Sequence, residues 1–140
     1  MRNSPFQLVS ERMTIVVFEL NREWKPEAMV ELAFHLQSER HDAGLENNQL
    51  VRLTLKVFDN EDLSKVPFRM IIQNEGLFMW ESGIKKEQIE KYLAVNAPAV
   101  LLSYIRSVAT LTTSYAGITP LILPLIDFTS PDSAQPAATP

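Results

Sequence analysis

The chain contains no cysteine among its 140 residues, so it can form no disulfide and offers no thiolate to a metal or a substrate. It has only four glycines, and they are too far apart to build a phosphate-cradling loop. Positive charge is also short: 13 Lys and Arg stand against 17 Asp and Glu, for a net charge of −4 and a pI near 5.2. A surface of that sign has no basic field to draw in a phosphate backbone, which excludes nucleic acid as the expected partner. No clean apolar run is long enough for a bilayer. The best candidate, 97–116, carries Arg106 and a series of Ser and Thr, so membrane insertion is not expected. Met1 to Pro5 holds one Arg and no apolar stretch, unlike a secretory signal. These absences together lead to the expectation of a soluble, cytoplasmic protein.

What is present is an ordinary globular balance, 46% hydrophobic and 21% charged. A chain of this length folds as one domain and buries roughly two-thirds of its unfolded surface. The first two-thirds of the chain has strand character. Phe6 to Leu20 is rich in β-branched residues, with a break in alternation near Ser10 to Arg12 that predicts a bulge. In its second half Val16, Phe18 and Leu20 face one way and Ile15, Val17 and Glu19 the other. After a turn around Trp24 and Pro26, Ala28 to Gln37 alternates, and Ser38 to Asn48 reads as a polar loop. Gln49 to Asp59 alternates again, Asn60 to Lys65 is a turn, and Val66 to Trp80 is a fourth strand with a bend near Asn74 to Gly76. Four strands with short polar links predict an antiparallel sheet, apolar on one face.

Beyond Gly83 the period becomes helical. A short helix is expected over Lys85 to Val95, and a long one over Ala97 to Ala116, capped by Asn96 and ended by Gly117. The long helix is apolar around most of its circumference. One sheet face cannot cover all of it, so a self-associating interface is expected there, with Leu101, Tyr104, Val108 and Leu111 as its residues. Ile118 to Phe128 is apolar but broken by Pro120 and Pro124, which makes it an extended arm. Thr129 to Pro140 is a Pro-, Ser- and Ala-rich tail, expected to be disordered. The domain itself is therefore 1–128 and the tail 129–140.

No constellation of nucleophile and base stands out. His35 on the polar side of a strand and His41 in a loop read as solvated residues, and the carboxylates Glu11, Glu19, Glu31 and Glu75 are scattered over different strands. No catalytic residue, metal site or cofactor is expected. Trp24, Met70, Phe78 and Trp80 have a default role as core filling, yet flexible Met and flat aromatic side chains also suit a groove for varied peptides.

The ordered motifs resemble the SecB protein-export chaperones. The similarity lies in Phe6-Gln7-Leu8 and Phe18-Glu19, in Glu23-Trp24-Lys25-Pro26-Glu27 followed by Val30-Glu31-Leu32, and in Gln73 to Phe78. It is most specific in Ala97-Pro98, Leu101-Leu102, Tyr104, Arg106, Gly117, Pro120, Leu123-Pro124 and Asp127-Phe128. The resemblance implies an α+β fold, a four-stranded antiparallel sheet followed by a short helix and one long helix. It also implies a homodimer or homotetramer, and a groove holding unfolded polypeptides for a SecA-type motor. The expected client-binding residues are then Trp24, Met70, Phe78 and Trp80, and the motor-facing ones Glu19, Ile15 and Ile71. Departures from the family pattern are plain. The crossover between the first two strands is short, Ile15 and Ile71 occupy acidic positions, Ser103 replaces a usual proline, and the C-terminal amphipathic helix is absent. The expected function is that of a holdase for non-native chains, with a client-specific chaperone, for example of an antitoxin, or a non-catalytic adaptor as the alternatives.

Overall fold

Strand order places the first and second strands at opposite edges of one sheet. The computed structural model describes residues 1–130, so the expected tail lies outside the described residues from Pro131 onward. Four strands, β1 (Phe6–Leu20), β2 (Phe34–Asp42), β3 (Asn48–Val57) and β4 (Phe68–Trp80), form an antiparallel sheet in the order β1-β4-β3-β2. Two helices follow, α1 (Lys86–Lys91) and α2 (Ala97–Tyr115), and α2 packs on β4 and β3. This is the α+β architecture expected from the sequence. Among the described residues no helix follows α2.

The strands take their places because their alternation has a face to bury. Val51, Leu53, Leu55 and Val57 of β3 and Phe68, Met70, Ile72 and Phe78 of β4 are buried together beneath α2. The helix answers with residues at a spacing of four, Ala97, Leu101, Ile105, Ala109 and Thr113, all buried. Each large aliphatic side chain so removed from water stabilises the fold by about 1.5–3 kcal/mol. Approach is closest at Gly76, where a Cβ would stand 2.8 Å from Leu101 Cδ2 and 2.8 Å from the Phe78 ring.

Three local expectations are corrected. β2 begins six residues later than its alternation suggests, at Phe34, and runs through the polar stretch to Asp42. The reason is topological: the chain leaving β1 must cross the whole sheet end, and 21–33 is spent on that crossing. Polarity does not stop Gln37 to Asp42 from pairing, because an edge strand needs only one neighbour, and β3 supplies it. Second, the bulge expected in β1 at Ser10 to Arg12 is divided between two sites that flank that stretch. Register shifts fall at Leu8/Ser10 and Met13/Ile15, while β3 and β4 pair without interruption.

Third, Asn96 caps nothing; its backbone is helical and its side chain makes no cap bond. Pro98 has no N–H, so α1 and α2 are joined through a wide turn, Tyr92–Asn96, in which the Ala97 N–H reaches the Tyr92 carbonyl. The combined run Lys86–Tyr115 is long and apolar enough, by length and composition, to cross a membrane, but its buried stripe is taken up by the sheet. Gly117 ends it as expected. At φ +80° it lets its own N–H bond the Ser114 carbonyl while Ile118 N–H reaches Thr113, a Schellman closure. The arm then doubles back. Thr110 Oγ1 donates to the Leu121 carbonyl at 2.7 Å, Leu121 N–H donates to Thr113 Oγ1 at 2.8 Å, and Leu123 is buried.

Candidate functional site

The four residues expected to line a client groove do not meet. Met70 and Phe78 are 0% and 1% exposed and point from β4 into the core under α2, so no bound chain can touch them in the folded subunit. Both are corrected to core residues. Trp80 is half-buried in an aromatic stack in which Phe6 lies 5.2 Å from Phe78, 6.3 Å from Trp80 and 4.8 Å from Tyr92. Trp24 is half-buried in the crossover, outside the core cluster. It follows Leu20, which pairs with Phe68, whereas Trp80 pairs with Phe6 at the other end of β4. Twelve steps along a strand separate those ends by roughly 40 Å.

The uncovered face of the sheet carries a polar row that runs across all four strands. Arg12, Glu75, Arg52 and Glu39 stand opposite one another in register across β1, β4, β3 and β2. Arg52 donates to Glu75 Oε2 at 2.7 and 3.0 Å, Arg12 to Glu75 Oε1 at 3.2 Å, and Arg52 lies 3.5 Å from Glu39. Glu75, one of the carboxylates scattered over different strands, has a side chain only 5% exposed. Hydrogen bonds from Arg52 hold its carboxyl below the usual range; burial opposes that, and Arg12 adds to it. The neighbouring row is neutral: Thr14 Oγ1 donates to Gln73 Oε1 at 2.9 Å and Gln73 Nε2 to Thr54 Oγ1 at 3.0 Å.

Past that row lies an apolar strip. Ile15 and Val17 are 38% and 44% exposed, and Ile71 stands opposite Val17. Glu19 and Arg69 follow, joined at 3.1 Å. The sheet thus brings Ile15 and Glu19 onto one face, as the alternation suggested, and adds Ile71, which the resemblance had placed with them. The ionic row was missed. Its members sit at polar positions of four different strands, and only the register reveals that they meet.

The helix divides its apolar residues between two stripes. Leu101 is fully buried against Gly76, and is corrected from interface to core. Tyr104 and Leu111 are 41% and 62% exposed, Val108 is half-buried, and Val100 and Tyr115 extend the same outward stripe. Ile122 and Leu125 of the arm are exposed as well. Between α2 and the arm runs an open groove lined by Ser103, Arg106, Ser107, Leu111 and Ile122. Among the described residues no group of three or more His, Asp or Glu could hold a metal ion.

A family model described as the preprotein translocase subunit SecB matches residues 11–132. The protein-export protein SecB of Anaplasma phagocytophilum (strain HZ) is 33% identical over 84 residues, 58% of this chain and 53% of that protein. Its counterpart in Anaplasma marginale (strain Florida) is 32% identical over 87 residues, 61% of this chain and 50% of that protein. The chain therefore spans about half the length of the curated relatives it matches. A solved structure, the Mycobacterium tuberculosis Rv1957 SecB-like chaperone in complex with a ChAD peptide from the Rv1956 HigA1 antitoxin, superposes with a TM-score of 0.63 at 21% identity. That superposition covers 87% of this chain and 91% of that one, and shows a shared fold. With its sheet, its crossover, its long helix and nearly its whole length matched by one family model, the chain belongs to the SecB family.

Proposed function

We propose that this protein is a cytoplasmic holdase that binds non-native polypeptides without catalysis. The observation that carries the reading is the amount of apolar side chain the subunit leaves uncovered outside its core. Tyr104, Leu111 and Tyr115 on α2, Ile122 and Leu125 on the arm, and Met29 and Val30 in the crossover are all exposed. Exposed apolar area of this extent marks surfaces for other chains, and a chaperone needs such area and no nucleotide site of its own. In this reading the α2 stripe serves self-association into a dimer or tetramer. Crossover and arm receive the client, with Trp24 and Trp80 kept as contributors and Met70 and Phe78 removed.

A dedicated client is the second reading. It is favoured by the mycobacterial protein of the same fold, which holds a peptide from an antitoxin. Coupling to a SecA-type motor has less support, because Glu19 and Glu75 are both engaged by arginines of this chain. The test is suppression of aggregation of a reduced, slow-folding polypeptide, read by light scattering with increasing amounts of this protein. Suppression near stoichiometry is the expected result. No suppression of that polypeptide, together with tight capture of one specific protein from the host, would replace the general reading with the dedicated one.

A further inference from the structure

Both ends of the crossover are fastened to the same loop. At its start the Asn21 N–H donates to the Pro67 carbonyl at 2.9 Å, and Asn21 Nδ2 donates to the Val66 carbonyl at 3.1 Å. At its end the Ala33 carbonyl accepts from the Phe58 N–H at 3.0 Å. Residues 58–67 connect β3 to β4, so one connection holds the crossover at two points. From Glu23 to Ala28 the bonds are local: Glu23 N–H to Asn21 Oδ1, Trp24 N–H to the Asn21 carbonyl and Ala28 N–H to the Lys25 carbonyl.

The second anchor is under strain. Among the described residues only Asn47 and Phe58 hold a positive φ without being glycine, at +56° and +54°. Asparagine tolerates that region, whereas the Cβ of a bulky aromatic residue crowds the following carbonyl oxygen there. Phe58 is kept in it by two contacts, the bond to Ala33 and the burial of its ring edge-on to Phe68, 5.4 Å away. Opening that lets φ return to negative values recovers the strain, which shifts the equilibrium toward the open form by about 10-fold.

Opening also changes the apolar surface. Leu32 and Ala33 pack against the core, while Met29 and Val30, just before them, are exposed. Once the Ala33 bond breaks and Leu32 leaves the core, the exposed strip extends from Met29 through Val30 to Leu32.

We infer that the crossover is a strap with the 58–67 connection as its clasp, and that strain at Phe58 sets it to open as a unit and lengthen the apolar strip offered to a non-native chain. The occupant of that strip rests on the holdase reading; the strap itself does not.

The test is hydrogen exchange of the full chain, followed amide by amide by NMR, without and with a reduced, slow-folding polypeptide. In the free protein the Asn21 and Phe58 N–H groups should share one opening, with protection equal within about 3-fold and at least about 100-fold below that of Leu53 and Leu55. Asn21→Ala, which removes the side-chain bond to Val66, should speed exchange at Phe58 by about 5-fold or more. Phe58→Gly and Phe58→Ala both delete the ring, but only glycine accepts the positive φ. Asn21 protection should therefore be about 5-fold greater in Phe58→Gly than in Phe58→Ala. Saturation with the polypeptide should lower protection at both anchors by about 5-fold or more, because the open form is the one bound.

Exchange of Phe58 only together with the β3 core, or no response at Phe58 to Asn21→Ala, would overturn the strap. Asn21 protection no greater in Phe58→Gly than in Phe58→Ala would overturn the role of strain. Anchors left unchanged by bound polypeptide would overturn the link to clients. Light scattering on the same samples reads aggregation suppression separately. A strap that opens in a protein that suppresses nothing refutes the holdase reading, while exchange in the free protein still decides the strap.

Discussion

Arg52 and Glu75 face each other across β3 and β4, and both Nε and a terminal nitrogen of the guanidinium converge on one carboxylate oxygen, at 3.0 and 2.7 Å. Glu75 is nearly buried while Arg52 is 31% exposed, so the carboxylate depends on the arginine more than the reverse. Arg12, on the far side, is 74% exposed and its contribution is correspondingly screened.

Glu75→Gln should therefore destabilise the fold by about 1–2 kcal/mol at neutral pH, a fall of roughly 3–6 °C in Tm. The sign with pH follows from the depressed folded pKa. Stability from this group is fully present above the unfolded value of about 4.3 and is lost as pH falls through the folded value. Melts at pH 7 and near pH 3 should show the difference between wild type and variant shrinking in acid. A difference that grows instead would mean Glu75 is not held as an anion.

Gly76→Ala tests the helix–sheet approach. The new methyl would meet Leu101 Cδ2, the Phe78 ring and Leu8 Cδ1 at 2.8–2.9 Å, and two of those side chains are fully buried. The expected loss is about 1–3 kcal/mol, read by chemical denaturation. Adding Leu101→Ala should cost less in that background than in the wild type, since the two changes share one space.

The two stripes of α2 make opposite predictions. Leu111→Asp, at a 62% exposed position, should leave the subunit folded and shift light scattering toward a smaller species. Leu101→Asp, at a fully buried position, should unfold the subunit, because the charge has no partner there. A stable monomer for the wild-type chain, or unchanged assembly in Leu111→Asp and Tyr104→Asp together, would remove α2 as the self-association surface.

The contrast between Leu101 and Leu111 shows where the sequence is legible and where it stops. The span of β1, the helical run, the turn at Gly117 and the extended arm follow from local chemistry, meaning β-branching, period, glycine and proline. Which side of an apolar helix is covered does not. Leu101 and Leu111 are equally apolar, and only the place where Gly76 admits the helix decides between them. Met70 and Phe78 take the core role that is the default for such residues, not the groove role that the resemblance implied, because their side of β4 is the one that α2 covers. Register is the other missing quantity. Arg12, Glu75, Arg52 and Glu39 are unremarkable polar positions until four strands align them. The start of β2 likewise depends on a strand order that forces 21–33 to cross the sheet end.

Motor coupling is the last test, and it follows from how the outer face disposes of its charge. A basic docking segment needs carboxylates that are free to accept from Lys or Arg. Here Glu19 is taken by Arg69 and Glu75 by Arg52 and Arg12, while Ile15 and Ile71 present only hydrocarbon. Lysines laid over those isoleucines would be desolvated without partners. A SecA-type motor from the same host should therefore bind weakly, with little dependence on salt. Replacing Ile15 and Ile71 together by Glu should raise its affinity by roughly 10-fold or more at low ionic strength, and the gain should fade as salt rises. Calorimetric titration of both forms at two salt concentrations decides the matter. Tight, salt-sensitive binding by the wild-type chain would mean that the motor uses another acidic face.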